Sequence, residues 1–174
     1  MLLPYVLSIV GKKNSGKTTL IEKLIPHLIR MGYKVGTVKH DTHGFDIDHE
    51  GKDTWRHKAA GASTVVISCP WKISMIKDLN EERTLDQIIQ DHFADADLVL
   101  TEGYKRAGKP QIEVYRRLAH TSPLHTKENQ GTLIGLVSDT YLDLGVPFLE
   151  INDISSIARF VQKRIMTRTS GLVS

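Results

Sequence analysis

One octet constrains this chain more than any other. Gly11-Lys12-Lys13-Asn14-Ser15-Gly16-Lys17-Thr18 satisfies G-x-x-x-x-G-K-[ST] at every fixed position. Its flanks fit as well. Tyr5 to Val10 is a short apolar run rich in β-branched residues and reads as a buried strand. From Lys17 to Met31, the residues Leu20, Ile21, Leu24, Ile25, Leu28 and Ile29 form the single stripe of a helix, with Gly32 as its stop. Pro26 falls inside this pattern and is expected to kink the helix, but the stripe keeps its phase across it. Glycines at 11 and 16 let the backbone turn sharply and approach an anion. Successive N–H groups from Lys12, Lys13, Asn14 and Ser15 then point inward, and the helix start adds unpaired N–H groups and the positive end of its dipole. In such a loop Lys17 reaches the β- and γ-phosphates, the Thr18 hydroxyl sits on Mg²⁺, and Thr19 lies near the α-phosphate.

The rest of the chain alternates strands with helices. Strands are expected at Lys34 to Lys39, Thr64 to Ser68, Lys72 to Ile76, Asp97 to Thr101, Gln111 to Tyr115, Leu133 to Val137 and Phe148 to Ile151. Pro70-Trp71 reads as the turn of a β-hairpin extension. Thr84 with Gln87 forms a capping box before a helix carrying Leu85, Ile88, Ile89 and Phe93. The last helix starts near Asn152 or Asp153. This order predicts an α/β fold: a single-domain phosphate-loop NTPase with a mostly parallel sheet flanked by helices. The domain is expected over residues 1–166, with a frayed polar tail at 167–174. With 174 residues, 40% apolar and 25% charged, the chain is neither disordered nor collagen-like. Its net charge of +3 suits an anionic ligand. The uncharged stretch Met1 to Gly11 is too short to span a bilayer, so a cytoplasmic protein is expected. Cys69 is the only cysteine, which excludes an intramolecular disulfide; it is expected as a small buried hydrophobe.

A phosphate loop needs an acidic group at a neighbouring strand end. Leu98-Val99-Leu100-Thr101-Glu102-Gly103 supplies Glu102, the first candidate for the metal. Residues 40–49 hold three aspartates and three histidines. Asp41 stands just past the second strand, as a metal-linked or water-positioning group. His40, His43 and His49 admit transition-metal binding, although a switch-like loop ordering on the γ-phosphate is the better reading. The run Gly51 to Thr54 leads into a helix through Trp55 and Ala59. Lys105, Arg106, Lys109, Arg116 and Arg117 concentrate positive charge, but no nucleic-acid module accompanies them. Lys12 either reaches into a partner's nucleotide or is solvated. Asp139, after the late strand Leu133 to Val137, either bonds a guanine edge or caps a turn.

These residues together resemble the molybdopterin-guanine dinucleotide biosynthesis adaptor family, MobB. The resemblance covers nearly the whole chain to about residue 166. It rests on Gly11 to Thr19, Lys39-His40-Asp41 with Phe45-Asp46-Ile47-Asp48, Gly51-Lys52-Asp53-Thr54 leading to Gly61-Ala62, and Thr101-Glu102-Gly103-Tyr104-Lys105 followed by Ile112-Glu113-Val114. It implies a homodimer that binds GTP with Mg²⁺ and hydrolyses it feebly. Such a protein works beside the guanylyltransferase that joins GMP to molybdopterin, a MobA-like enzyme, with molybdopterin as a further ligand. Carried over by position, Gly11 to Thr19 bind phosphates, and Thr18 with Glu102 lie at the metal.

Two other functions fit parts of the pattern. A small-molecule kinase or ATP-dependent synthetase of the dethiobiotin-synthetase kind shares the strand-Glu-Gly placement at Glu102 and Gly103, but no lid of kinase length is present. A metal-insertion GTPase would use His40, His43 and His49.

Overall fold

The structure, a computed structural model, describes residues 3–170. In chain order the elements are β1 (Tyr5–Val10), α1 (Lys17–Arg30), β2 (Val35–Lys39), α2 (Asp53–Ala59), β3 (Thr64–Cys69), β4 (Lys72–Lys77), α3 (Leu85–His92), β5 (Leu98–Glu102), β6 (Gln111–Tyr115), β7 (Leu133–Ser138), β8 (Phe148–Glu150) and α4 (Ile154–Ser170). They divide into two compact units, Met1–His40 with Thr84–Ser174, and Asp41–Arg83.

The first unit holds a six-stranded sheet in the order β2-β5-β1-β6-β7-β8, every pairing parallel. Alternation along the strands explains the layering. Leu7, Ile9, Leu98, Leu100, Ile112 and Val114 point to one face and form a core with Leu20, Leu24 and Leu28 of α1 and Ile157, Ala158 and Val161 of α4. Val6 and Val99 point to the other face, where Leu85 and Ile89 of α3 cover them. On that second face Thr101 Oγ1 donates to Ser8 Oγ at 2.9 Å, so the two buried hydroxyls satisfy each other. Pro26 is accommodated without dividing α1, which runs unbroken from Lys17 to Arg30. Helix α4 extends to Ser170, through the first residues of the expected tail; 171–174 lie outside the described residues.

The second unit is the expected hairpin extension. β3 and β4 pair antiparallel, with Val65 opposite Ile76 and Val66 opposite Met75, and α2 packs on β3. Pro70 and Trp71 form the turn. Cys69 corrects its expectation: it is exposed, beside the turn of a hairpin that has too little covering layer to bury it. Among the described residues no helix is long and apolar enough to cross a membrane.

Candidate functional site

The parallel sheet sets the site's position, since ligands on such sheets bind beyond the carboxyl ends of the strands. β1 ends at Val10 and the chain enters the phosphate loop. Gly11 has φ 153°, and a Cβ there would lie 2.5 Å from Val114 O and 2.6 Å from Ser15 Oγ, so only glycine fits. Asn14 adopts a left-handed conformation with φ 62°. Gly16, with φ 96°, is the N-cap of α1. No side chain caps this helix and no acid stands in its own first turn, so its leading N–H groups are left without a side-chain cap. Ser15 Oγ is buried without a partner, an orphan polar atom inside the loop.

Lys17 Nζ donates to Lys12 O at 2.9 Å across the loop. Burial pushes its ammonium below the ordinary lysine range; Glu102 opposes the fall, while Lys105 and Lys39 add to it. Thr18 Oγ1 lies 2.9 and 3.1 Å from the two Glu102 carboxylate oxygens and donates to them. Glu102 is held at the end of β5 by its neighbours on both sides: Gly103 N donates to Ile9 O and His40 N to Glu102 O. A hydroxyl and a carboxylate converging beside a phosphate loop are the oxygen donors that Mg²⁺ takes, with water completing its shell. A glycine-bounded loop with an uncapped helix start and an orphan hydroxyl fits a phosphate chain.

The structure brings Lys17, Thr18 and Glu102 together at the ends of β1 and β5. Thr19 lies exposed in the first turn of α1. Asp41 belongs to the second unit, exposed, where its Oδ1 accepts from His43 N at 2.9 Å in an Asx turn. His40 stacks on Tyr104 with ring centroids 4.6 Å apart. Among the described residues no group of three His, Cys, Asp or Glu is placed to hold a metal ion, so His40, His43 and His49 form no cluster. Asp139 follows β7 directly, and its Oδ1 accepts from Arg117 N at 3.0 Å. Beside it a cleft of about 420 Å³ is lined by Tyr115, Arg117, Thr121 and Thr140.

The segment after β6 is the part that sequence reasoning missed. Lys12 Nζ donates to Ser122 Oγ at 3.0 Å, and His120 Nε2 donates to Lys13 O at 2.7 Å. The segment is anchored by Glu113, a buried carboxylate in the middle of β6 that accepts from Leu124 N at 2.5 Å, His125 N at 3.0 Å and His125 Nδ1 at 2.7 Å. A glutamate between Ile112 and Val114 in a core strand is the one signal that could have exposed it, because a buried carboxylate needs donors from elsewhere. The basic residues also do not form one patch: Lys109 pairs with Asp86 at 2.5 Å, while Arg116 turns to Gly16.

Comparison with known proteins adds the family. Residues 6–139 match the model of MobB, molybdopterin guanine dinucleotide synthesis protein B. This chain belongs to the MobB family. The match takes in the phosphate loop, Glu102 and Asp139. A Haemophilus influenzae protein named molybdopterin-guanine dinucleotide biosynthesis adapter protein is 36% identical, over 90% of this chain and 87% of its own length. Its Escherichia coli namesake is 32% identical over 90% of each. A crystal structure of molybdopterin-guanine biosynthesis protein B superposes with a TM-score of 0.72 at 33% identity, covering 92% of this chain and 99% of the other. The MobB fold is therefore the fold of this chain.

Proposed function

We propose that this chain is a cytoplasmic GTP-binding adaptor that assists a MobA-like guanylyltransferase in attaching GMP to molybdopterin. The observation that carries the reading is the convergence of Lys17, Thr18 and Glu102 at the phosphate loop, in a chain of the MobB family. Gly11 to Thr19 grip the phosphates through backbone N–H groups. Lys17 neutralises the β- and γ-phosphates, and Thr18 with Glu102 hold the metal. Mg²⁺, when bound, supplies the charge that offsets the β- and γ-oxygens. Asp139 bonds the guanine edge with the carboxylate oxygen that Arg117 N leaves over. Asp41 orients the water for a weak intrinsic GTPase reaction. Membrane and nucleic acid are not among its partners; molybdopterin is a further ligand.

The working unit is a homodimer. A two-stranded hairpin is marginal by itself, and one face of this one carries Val66, Ile73 and Met75 at 50%, 71% and 48% exposure. A second copy covers such a face.

Calorimetric titration of the purified protein tests the nucleotide claim. GTP with Mg²⁺ is expected to bind more tightly than ATP, and Lys17→Ala to remove binding. Equal affinity for ATP overturns the guanine assignment, and unchanged affinity in Lys17→Ala overturns the site. Turnover is expected well below the range of about 1–100 per second typical of kinases.

A further inference from the structure

Arg116 follows β6 at the carboxyl end of the sheet. Since β1 lies between β5 and β6, Arg116 and Glu102 stand on opposite flanks of the phosphate loop. The guanidinium lies against the loop backbone: a Cβ built on Gly16 would be 3.1 Å from Arg116 Nε, 3.5 Å from Nη2 and 3.6 Å from Cζ. Nε is buried and has no hydrogen-bond partner. The backbone around it is fixed. Ala119 N and His120 N both donate to Arg116 O, and Asp139 holds Arg117 N.

An arginine cannot shed its charge in a protein, so a buried N–H without an acceptor is a standing cost. No protein acceptor among the described residues reaches this N–H, and an anion brought to the loop would meet both the hydrogen bond and the charge. A phosphate is the match, because its oxygens meet the planar donor fork two at a time. The neighbouring start of α1 has no side-chain cap and no acid within its first turn.

We propose that Arg116 is a phosphate-binding residue of the nucleotide site, acting on the phosphate chain from the flank opposite Glu102. This deepens the reading of the loop as a nucleotide site and rests on it. Its position away from Thr18 and Glu102 gives a specific signature: the contact is independent of the metal, and GDP and GTP both use it.

The test is calorimetric titration of the full chain with GDP lacking metal and with GTP plus Mg²⁺, for wild type, Arg116→Gln and Arg116→Lys. Arg116→Gln is expected to weaken both nucleotides by a similar factor, about tenfold or more, the value of a hydrogen bond to a charged group. Arg116→Lys is expected to recover part of the loss, since it restores charge without the fork. The nucleotide-free melting temperature of either variant stays near that of wild type, while the rise on adding GDP shrinks. Wild-type binding with both nucleotides within about twofold in Arg116→Gln overturns the assignment. A loss confined to GTP with Mg²⁺ overturns the flank. Should Arg116→Gln fold poorly, unchanged GDP affinity and unchanged ³¹P shifts of bound GDP in Arg116→Lys overturn it instead. If wild type binds neither nucleotide, the loop's reading as a nucleotide site falls first.

Discussion

Lys17 sets stability against use. Its ammonium is partly desolvated, which lowers its pKa from the model-peptide value of 10.5, and its hydrogen bond to Lys12 O offsets part of that cost. Between the lowered value and 10.5 the folded protein binds fewer protons than the unfolded chain, so the stability of the nucleotide-free protein rises with pH in that alkaline window. Below the window both states are protonated and the penalty is constant. A bound phosphate chain reverses the balance, because an opposite charge favours the ammonium. Lys17→Met is therefore expected to melt no lower than wild type without nucleotide and to flatten the alkaline rise. Thermal melts from about pH 8 upward measure this. A lower melting temperature for the variant throughout would mean that Lys17 supports the loop rather than straining it.

At the scale of elements, α3 shows how closely local chemistry fixes a boundary. Gln87 N donates to Thr84 Oγ1 at 3.2 Å and Thr84 N to Gln87 Oε1 at 2.9 Å, the reciprocal pair read from Thr84-x-x-Gln87. Thr84→Ala is expected to cost about 1 kcal/mol, read as a shift of the denaturant midpoint with unchanged slope. A cost below about 0.3 kcal/mol would show that burial of Leu85 and Ile89 holds the helix end without the cap. Such elements were legible because their signals are local. The runs at Tyr5 to Val10 and Gln111 to Tyr115 match β1 and β6 residue for residue, and the octet placed Lys17 and Thr18. Glu102 was legible as a strand end, because four apolar or β-branched residues, Leu98 to Thr101, stop at a charge before glycine. The segment after β6 was not. His120, Ser122 and Arg116 meet the loop only through the pairing of β6 with β1, and no spacing along the chain encodes that. Cys69 failed for a related reason: burial habit assumes a covering layer, and this hairpin has one on a single side.

At the scale of the whole molecule, the proposed nucleotide site and the proposed dimer face belong to different units and can be tested apart. Lys17, Thr18 and Glu102 all come from one copy of the first unit, whereas Val66, Ile73 and Met75 lie on the hairpin. A lysine at 73 or a glutamate at 75 is already near solvent in a single copy, so either substitution leaves the fold intact and penalises only the covered state, where the charge would be desolvated. Ile73→Lys combined with Met75→Glu is expected to turn a dimer into a monomer, measured by sedimentation equilibrium. A dimer unchanged by both substitutions would move the interface elsewhere. The same variant decides between the two roles of Lys12. In this chain Lys12 Nζ donates to Ser122 Oγ of its own copy, which needs no partner. If that bond is what Lys12 does, the monomeric variant keeps the nucleotide affinity of wild type. If Lys12 instead reaches into a partner's nucleotide, affinity falls on dissociation, and Lys12→Ala lowers it in the dimer but not in the monomer.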